Sequence, residues 1–140
     1  MKSSSRQKFD IFQLHDGRDG CAPPLKVEVL SGGNLKLVSD VKTGPGESCI
    51  RSTLNNKTSR GTIRRDGTEQ KLDVLINFDG KGGFVATVSI DGRKQISGTY
   101  TPKENANYRP KRYYFKHGVY SKNRFQYVMT SRNMKVRKVR

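Results

Sequence analysis

Residues 72–92 read Leu-Asp-Val-Leu-Ile-Asn-Phe-Asp-Gly-Lys-Gly-Gly-Phe-Val-Ala-Thr-Val-Ser-Ile-Asp-Gly. Leu72, Val74, Ile76 and Phe78 share one parity within the first run, and so do Phe84, Ala86, Val88 and Ile90 within the second. A period of two sends alternate side chains to opposite faces, so each run reads as a half-buried β-strand. Asp79-Gly80 follows the first run, and Asp91-Gly92 reads as the tip of a hairpin after the second. Glycine takes positive φ without steric cost and aspartate tolerates it, as tight hairpin turns require.

The same punctuation recurs upstream at Asp16-Gly17, Asp19-Gly20 and Asp66-Gly67, each a turn candidate. Leu25, Val27 and Val29 alternate with Lys26 and Glu28, while convincing helical periodicity is missing. At the far end, Met134 and Val136 alternate with Lys135 and Arg137, so Asn133–Arg140 reads as a last strand. Thr101–Arg112 carries Pro102 and Pro110 and reads as a surface loop crossing between sheets. Many short strands with Gly-rich turns predict an all-β chain, an antiparallel β-sandwich or jelly roll. A length of 140 residues favours one domain, expected over residues 9–140 after a flexible basic N-terminus at 1–8.

Lysine and arginine number 28 against 12 acidic residues, a formal net charge of +16. Such a field attracts polyanions without choosing among them: nucleic acid, acidic polysaccharide and anionic membrane surfaces all qualify. No stretch approaches the ~20 apolar residues of a membrane span. Met1–Lys8 is polar and basic, with no apolar signal segment. Two cysteines, Cys21 and Cys49, exclude a disulfide-rich scaffold and leave either one bridge or two buried thiols. With two histidines they lack zinc-finger spacing. Asp16 and Asp19 stand beside glycines as turn formers, with no calcium-loop spacing after them.

Two strands do not read as core. In Phe9–His15, Phe-Asp-Ile-Phe-Gln-Leu-His, alternation puts Phe12 and Leu14 on one face and Gln13 and His15 on the other. In Tyr113–Tyr120, Tyr-Tyr-Phe-Lys-His-Gly-Val-Tyr, one face carries Tyr114, Lys116, Gly118 and Tyr120. The other carries Phe115, His117 and Val119. A glycine among phenols and an ammonium leaves a gap for close approach to the backbone. The plainer reading is an amphipathic strand with half-buried tyrosines and a surface histidine.

Gln13-Leu14-His15 resembles the Gln-Ile/Val-His motif of the jelly-roll alginate lyases, the seventh polysaccharide-lyase family. Tyr114-Phe115-Lys116-His117-Gly118-Val119-Tyr120 resembles their Tyr-Phe-Lys-Ala-Gly-x-Tyr motif, in the same order along the chain. Glucuronan and heparin lyases have a similar closing strand. The family alanine is His117 here, and the glutamine two residues past the last tyrosine is Lys122. The upstream Arg-Ser/Thr-Glu strand has no counterpart before His15, so the chain resembles a shortened member. The resemblance implies a concanavalin-like jelly roll with a basic concave face and a secreted or extracellular setting. It implies cleavage of a uronate-containing polysaccharide such as alginate by β-elimination.

It also implies roles. Gln13 would hydrogen-bond the uronate carboxylate, and His15 would be the neutral base or assist it. Tyr120 would be the acid, and for one sugar stereochemistry both base and acid. Lys116 and Tyr114 would hold substrate, with Arg51 and Arg112 as further substrate contacts. Arg60, Arg64 and Arg65 are other groove candidates, one of which could replace the missing arginine. His117, on the opposite parity, reads as packing or hydrogen-bonded structure, and Lys111 adds charge beside Arg112. No metal or organic cofactor is implied. A sheet edge left open by absent N-terminal strands would allow a homo-oligomer. Two other functions fit the charge: a non-catalytic module binding the same glycan, and a single-stranded nucleic-acid binder using tyrosines among cations.

Overall fold

The computed structural model describes residues 1–104, 108–110 and 112–138. Among the described residues there are eight strands: β1 (Phe9–His15), β2 (Leu25–Val29), β3 (Leu35–Lys42), β4 (Cys49–Thr53), β5 (Leu72–Phe78), β6 (Phe84–Ile90), β7 (Arg93–Tyr100) and β8 (Tyr114–Tyr120). They form a five-stranded sheet, β4-β3-β2-β1-β8, and a three-stranded sheet, β5-β6-β7. Every pairing is antiparallel. Each sheet is a meander of consecutive strands, except that β8 returns to lie beside β1. No helix among the described residues is long and apolar enough to cross a membrane.

Alternation places the core. Phe84, Ala86, Val88 and Ile90 on β6 are all buried, as are Leu25, Val27 and Val29 on β2. They join Phe9, Leu14, Leu35 and Leu37 from the larger sheet, and Ile96 and Tyr100 from the smaller, in one cluster shared by both sheets. Each such Val, Leu, Ile or Phe side chain contributes about 1.5–3 kcal/mol when fully buried. At the β6–β7 turn, Asp91 and Gly92 have φ of 51° and 74°. Positive φ at both central residues is what a two-residue hairpin of matching twist needs.

β1 departs from simple alternation. Its register with β2 slips between Asp10 and Phe12, where two steps of β1 meet one of β2, a β-bulge at Ile11; against β8 the slip runs the other way, two steps of β1 meeting three of β8 between Tyr120 and His117. The extra residue turns Phe9 and Ile11 inward before the bulge and leaves Leu14 inward after it. Asp10 therefore falls on the same face as Gln13 and His15.

Two sequence expectations are corrected here. Asn133–Lys138 forms no strand, and Met134 and Val136 are largely exposed. Alternation there meets no neighbouring ladder, and a strand without one is not stable; residues 139 and 140 lie outside the described residues. The first residues make backbone contacts with later segments. Lys2 and Val128 exchange backbone hydrogen bonds of 2.8 Å, and Ser3 N donates to Arg65 O at 2.9 Å. Arg65, a groove candidate, is spent on this anchorage. Its guanidinium donates to Ser5 O at 2.7 Å, Gln7 O at 2.9 Å and Leu30 O at 3.1 Å, and lies 5.1 Å from the Phe9 ring centroid. The described part of Thr101–Arg112 lies outside the strands and links the two sheets; residues 105–107 and Lys111 lie outside the described residues.

Cys21 and Cys49 are joined in a disulfide with Cα atoms 6.2 Å apart. It fastens the segment after β1 to the start of β4, the opposite edge of the sheet. The bridge spans 28 residues of sequence, and closing a loop of that size stabilises by about 3.5 kcal/mol in the chain-entropy account. The double variant Cys21→Ser/Cys49→Ser is expected to be less stable by about that amount in urea unfolding, with a lower midpoint and a steeper slope because the uncrosslinked unfolded chain exposes more surface.

Candidate functional site

β1 and β8 pair so that Gln13 stands opposite Lys116, His15 opposite Tyr114, and Asp10 opposite Tyr120. One face of this two-strand seam thus carries a carboxamide, an imidazole, an ammonium and two phenols. The row continues across the sheet, because Gln13 also stands opposite Lys26 of β2. The seam rests on a stack of Phe12 against Phe115, with centroids 5.7 Å apart and planes 11° from parallel.

The polar groups are wired together. Gln13 Nε2 donates to Asp10 Oδ2 at 2.8 Å. Lys26 Nζ sits 3.0 Å from the same carboxylate oxygen, and Asp10 is only 6% exposed. Gln13 Oε1 lies 3.1 Å from His15 Nε2. The imidazole stacks on Tyr114, centroid to centroid 5.0 Å with planes 12° from parallel. The Arg112 guanidinium lies 5.5 Å from the other partner in that stack, the Tyr114 ring centroid. Imidazole, phenol and guanidinium therefore follow one another along the end of the seam.

Tyr120 takes a different place. It stands opposite Asp10, six positions along β8 from Tyr114. Its ring leans back over Gly118, where a Cβ would meet the phenol oxygen at 3.6 Å. The space that the glycine opens is thus occupied by the Tyr120 ring. Gln13 lies between His15 and the Tyr120 end of the seam. Arg51 does not join it: β4 is the far edge of the sheet, and Arg51 Nη2 sits 3.4 Å from Glu28 Oε1. His117 Nε2 is 2.8 Å from Ser131 Oγ, a hydrogen-bonded structural contact on the other face.

The turn after His15 holds the most enclosed charges of the region. Asp16 and Arg18 have side chains 2% and 3% exposed. Arg18 donates to Asp16 through Nε at 2.8 Å and Nη2 at 2.7 Å, and through Nη2 to Tyr100 Oη at 3.0 Å. Nη1 donates to the carbonyls of Ala22 and Asp40. Tyr108 donates to Asp16 O at 3.0 Å, and its ring lies under the guanidinium at 5.7 Å. Burial works against the charge on Arg18, but the Asp16 hydrogen bonds and charge outweigh it and hold the guanidinium protonated. Asp16 is thus an ion-pair member as well as a turn residue, and Arg18 is committed to it.

Electrostatics also set the imidazole. Burial and then the Lys116 ammonium push the His15 pKa below its usual 6.5; Asp16 pulls the other way, and Arg18 adds a still smaller downward push. His15 is therefore neutral at pH 7 and able to accept a proton. Sequence parity found Gln13, His15, Tyr114 and Lys116. It missed Asp10 and Lys26, because the bulge that brings Asp10 to this face leaves no mark in the alternation.

No protein-family model, curated protein or solved structure matches the chain.

Two outcomes follow from the charges. Arg18→Met strands a buried carboxylate and is expected to destabilise by about 3–5 kcal/mol, with Asp16→Leu/Arg18→Met recovering part of the loss in urea unfolding. A proton-NMR titration of His15 should show its midpoint below 6.5, and Lys116→Gln should move it upward. The depressed folded-state value stabilises the fold above pH 6.5 and is lost as pH falls through the folded midpoint.

Proposed function

We propose that the chain is a polysaccharide lyase that cleaves an acidic, uronate-containing polysaccharide such as alginate by β-elimination. The observation that carries this reading is the seam itself: Gln13, His15, Tyr114, Lys116 and Tyr120 on one face of two directly paired strands. The formal charge of +16 suits a polyanionic chain lying across that face. With it we propose a reduced, concanavalin-like jelly-roll sandwich whose basic concave face is the five-stranded sheet. Two sheets sharing one core and β8 lying beside β1 support it. The meander order makes it simpler than interleaved Greek keys.

The chemistry begins with a weak carbon acid, the C–H next to the uronate carboxylate. Donors that offset the carboxylate charge stabilise the enolate-like state formed when that proton leaves. Gln13, through its second amide hydrogen, and Lys116 opposite it are the donors on the seam. Neutral His15 takes the proton. The electron pair forms a carbon–carbon double bond and expels the glycosidic oxygen from the neighbouring carbon. The Tyr120 hydroxyl protonates that oxygen, and for syn elimination Tyr120 serves as base and acid in turn. Tyr114 and Arg112 form the wall beside His15. Arg112 supplies the guanidinium that Arg18 and Arg65, bound to protein groups, do not.

A second reading has its own support. Arg51, across the sheet beside Glu28, extends the charged surface away from the seam, which fits a module that binds the glycan without cutting it. Product formation separates the two. With alginate, polyglucuronate and heparin at matched salt, absorbance from the unsaturated uronyl product is expected to grow with one of them. His15→Ala or Tyr120→Phe should cut the rate about 100-fold or more. Retention on a polyuronate column with no product would establish the binding module instead. Preference for single-stranded nucleic acid over polyuronate at the same salt would remove the glycan altogether.

A further inference from the structure

Asp10 lies on the seam only because of the bulge, and its carboxylate can do nothing but accept hydrogen bonds. One oxygen, Oδ2, receives Gln13 Nε2 at 2.8 Å and Lys26 Nζ at 3.0 Å. A carboxamide has a donating end and an accepting end. Seating the donating end on Asp10 turns the accepting end, Oε1, toward His15 Nε2 at 3.1 Å. Reversing the amide would face two acceptor oxygens across 2.8 Å. An amide oxygen has no hydrogen to give, so the contact requires the imidazole proton on Nε2. The lone pair of the neutral ring is then on Nδ1.

We infer that Asp10, clamped by Lys26, is a positioning residue that fixes the polarity of the Gln13 amide, holds His15 in its Nε2–H form and makes Nδ1 the basic atom. The assignment of that basic atom to substrate rests on the lyase reading; the tautomer does not. When Nδ1 accepts a proton, the imidazolium keeps its Nε2–H on Gln13 Oε1. The amide in turn leans on the Asp10 carboxylate, so the new positive charge is met through two hydrogen bonds. Each group keeps its own proton, and only the substrate proton moves. The second hydrogen on Gln13 Nε2 is not used by these contacts and faces the carboxylate of the sugar.

The tautomer can be read directly. The test uses the full chain, uniformly labelled with nitrogen-15, at about pH 8, well above the usual imidazole pKa of about 6.5. A long-range proton–nitrogen correlation gives both ring nitrogens, and His117→Gln assigns the two histidines. The expected wild-type result is a pyrrole-type shift at His15 Nε2 and a pyridine-type shift at Nδ1. Asp10→Asn lets the neighbouring amide present either end, so the two shifts should move toward the averaged values of a solvent-exposed imidazole. Asp10→Ala/Lys26→Met removes the clamp without stranding an ammonium and should give the same movement, with near-ultraviolet circular dichroism reporting native packing. A wild-type Nδ1–H form overturns the inference, as does an unchanged pattern in both folded variants. The product assay runs in parallel, where Asp10→Asn should lower kcat and leave KM in place. Wild-type protein locked as Nε2–H but making no product would sink the lyase reading alone. Product formation from an Nδ1–H enzyme would sink the positioning role alone.

Discussion

One extra residue in β1 governs both halves of the molecule. The bulge at Ile11 lets Phe9 and Ile11 point into the shared core ahead of it, and Leu14 point the same way after it. Without the slip, strict alternation would set the first pair of apolar side chains against the last. A strand that buried Leu14 would expose Phe9 and Ile11, and the carboxylate of Asp10 would be driven into the apolar layer. With the slip, five strands keep a continuous inner surface. The outer face gains an acid beside its carboxamide and imidazole. Bulges cost ladder hydrogen bonds, so one placed beside a polar cluster is best understood as part of that cluster's construction.

The cations divide into two populations. Arg18, Arg65 and Lys42 are structural: Arg18 is sealed against Asp16, Arg65 holds the N-terminal segment, and Lys42, 4% exposed, donates to the carbonyls of Asp19 and Gly46. Lys26 belongs to both groups, since it neutralises Asp10 while standing beside Gln13. Lys116 and Arg112 are the cations that the seam presents outward. A formal charge read from the sequence thus overstates what a polyanion would meet. It also hides that several positive groups replace a larger apolar core in tying loops to sheets.

Much of the frame was legible because burial on one face imposes a period that survives in the residues. Phe84 to Ile90 alternate and are buried on alternate positions, and Asp91-Gly92 takes the backbone its two residues favour. Gln13 and His15 share a face, as do Tyr114, Lys116 and Tyr120, because the face of a strand is a local property. What escaped was non-local. Asp16 looked like one more turn aspartate, since nothing near it announces that Tyr100 and Tyr108, more than 80 residues on, close over it and its pair with Arg18. The alternating Met134 and Val136 looked like a strand, but a strand exists only with a neighbour. Asp10 was unreadable because its face depends on a slip in pairing with two other strands.

β8 carries Tyr114, Lys116 and Tyr120, yet among the described residues it is bonded to β1 alone and ends the sheet. Opening it breaks a single ladder, whereas opening β1 or β2 breaks two. Its amides therefore belong to the part of the molecule that exchanges with solvent by small local excursions rather than by whole-molecule unfolding. Half of the polar seam is mounted on a hinged plank and half on a fixed beam. A long ligand lying across both would hold the plank shut, so occupancy and local order at this border are coupled.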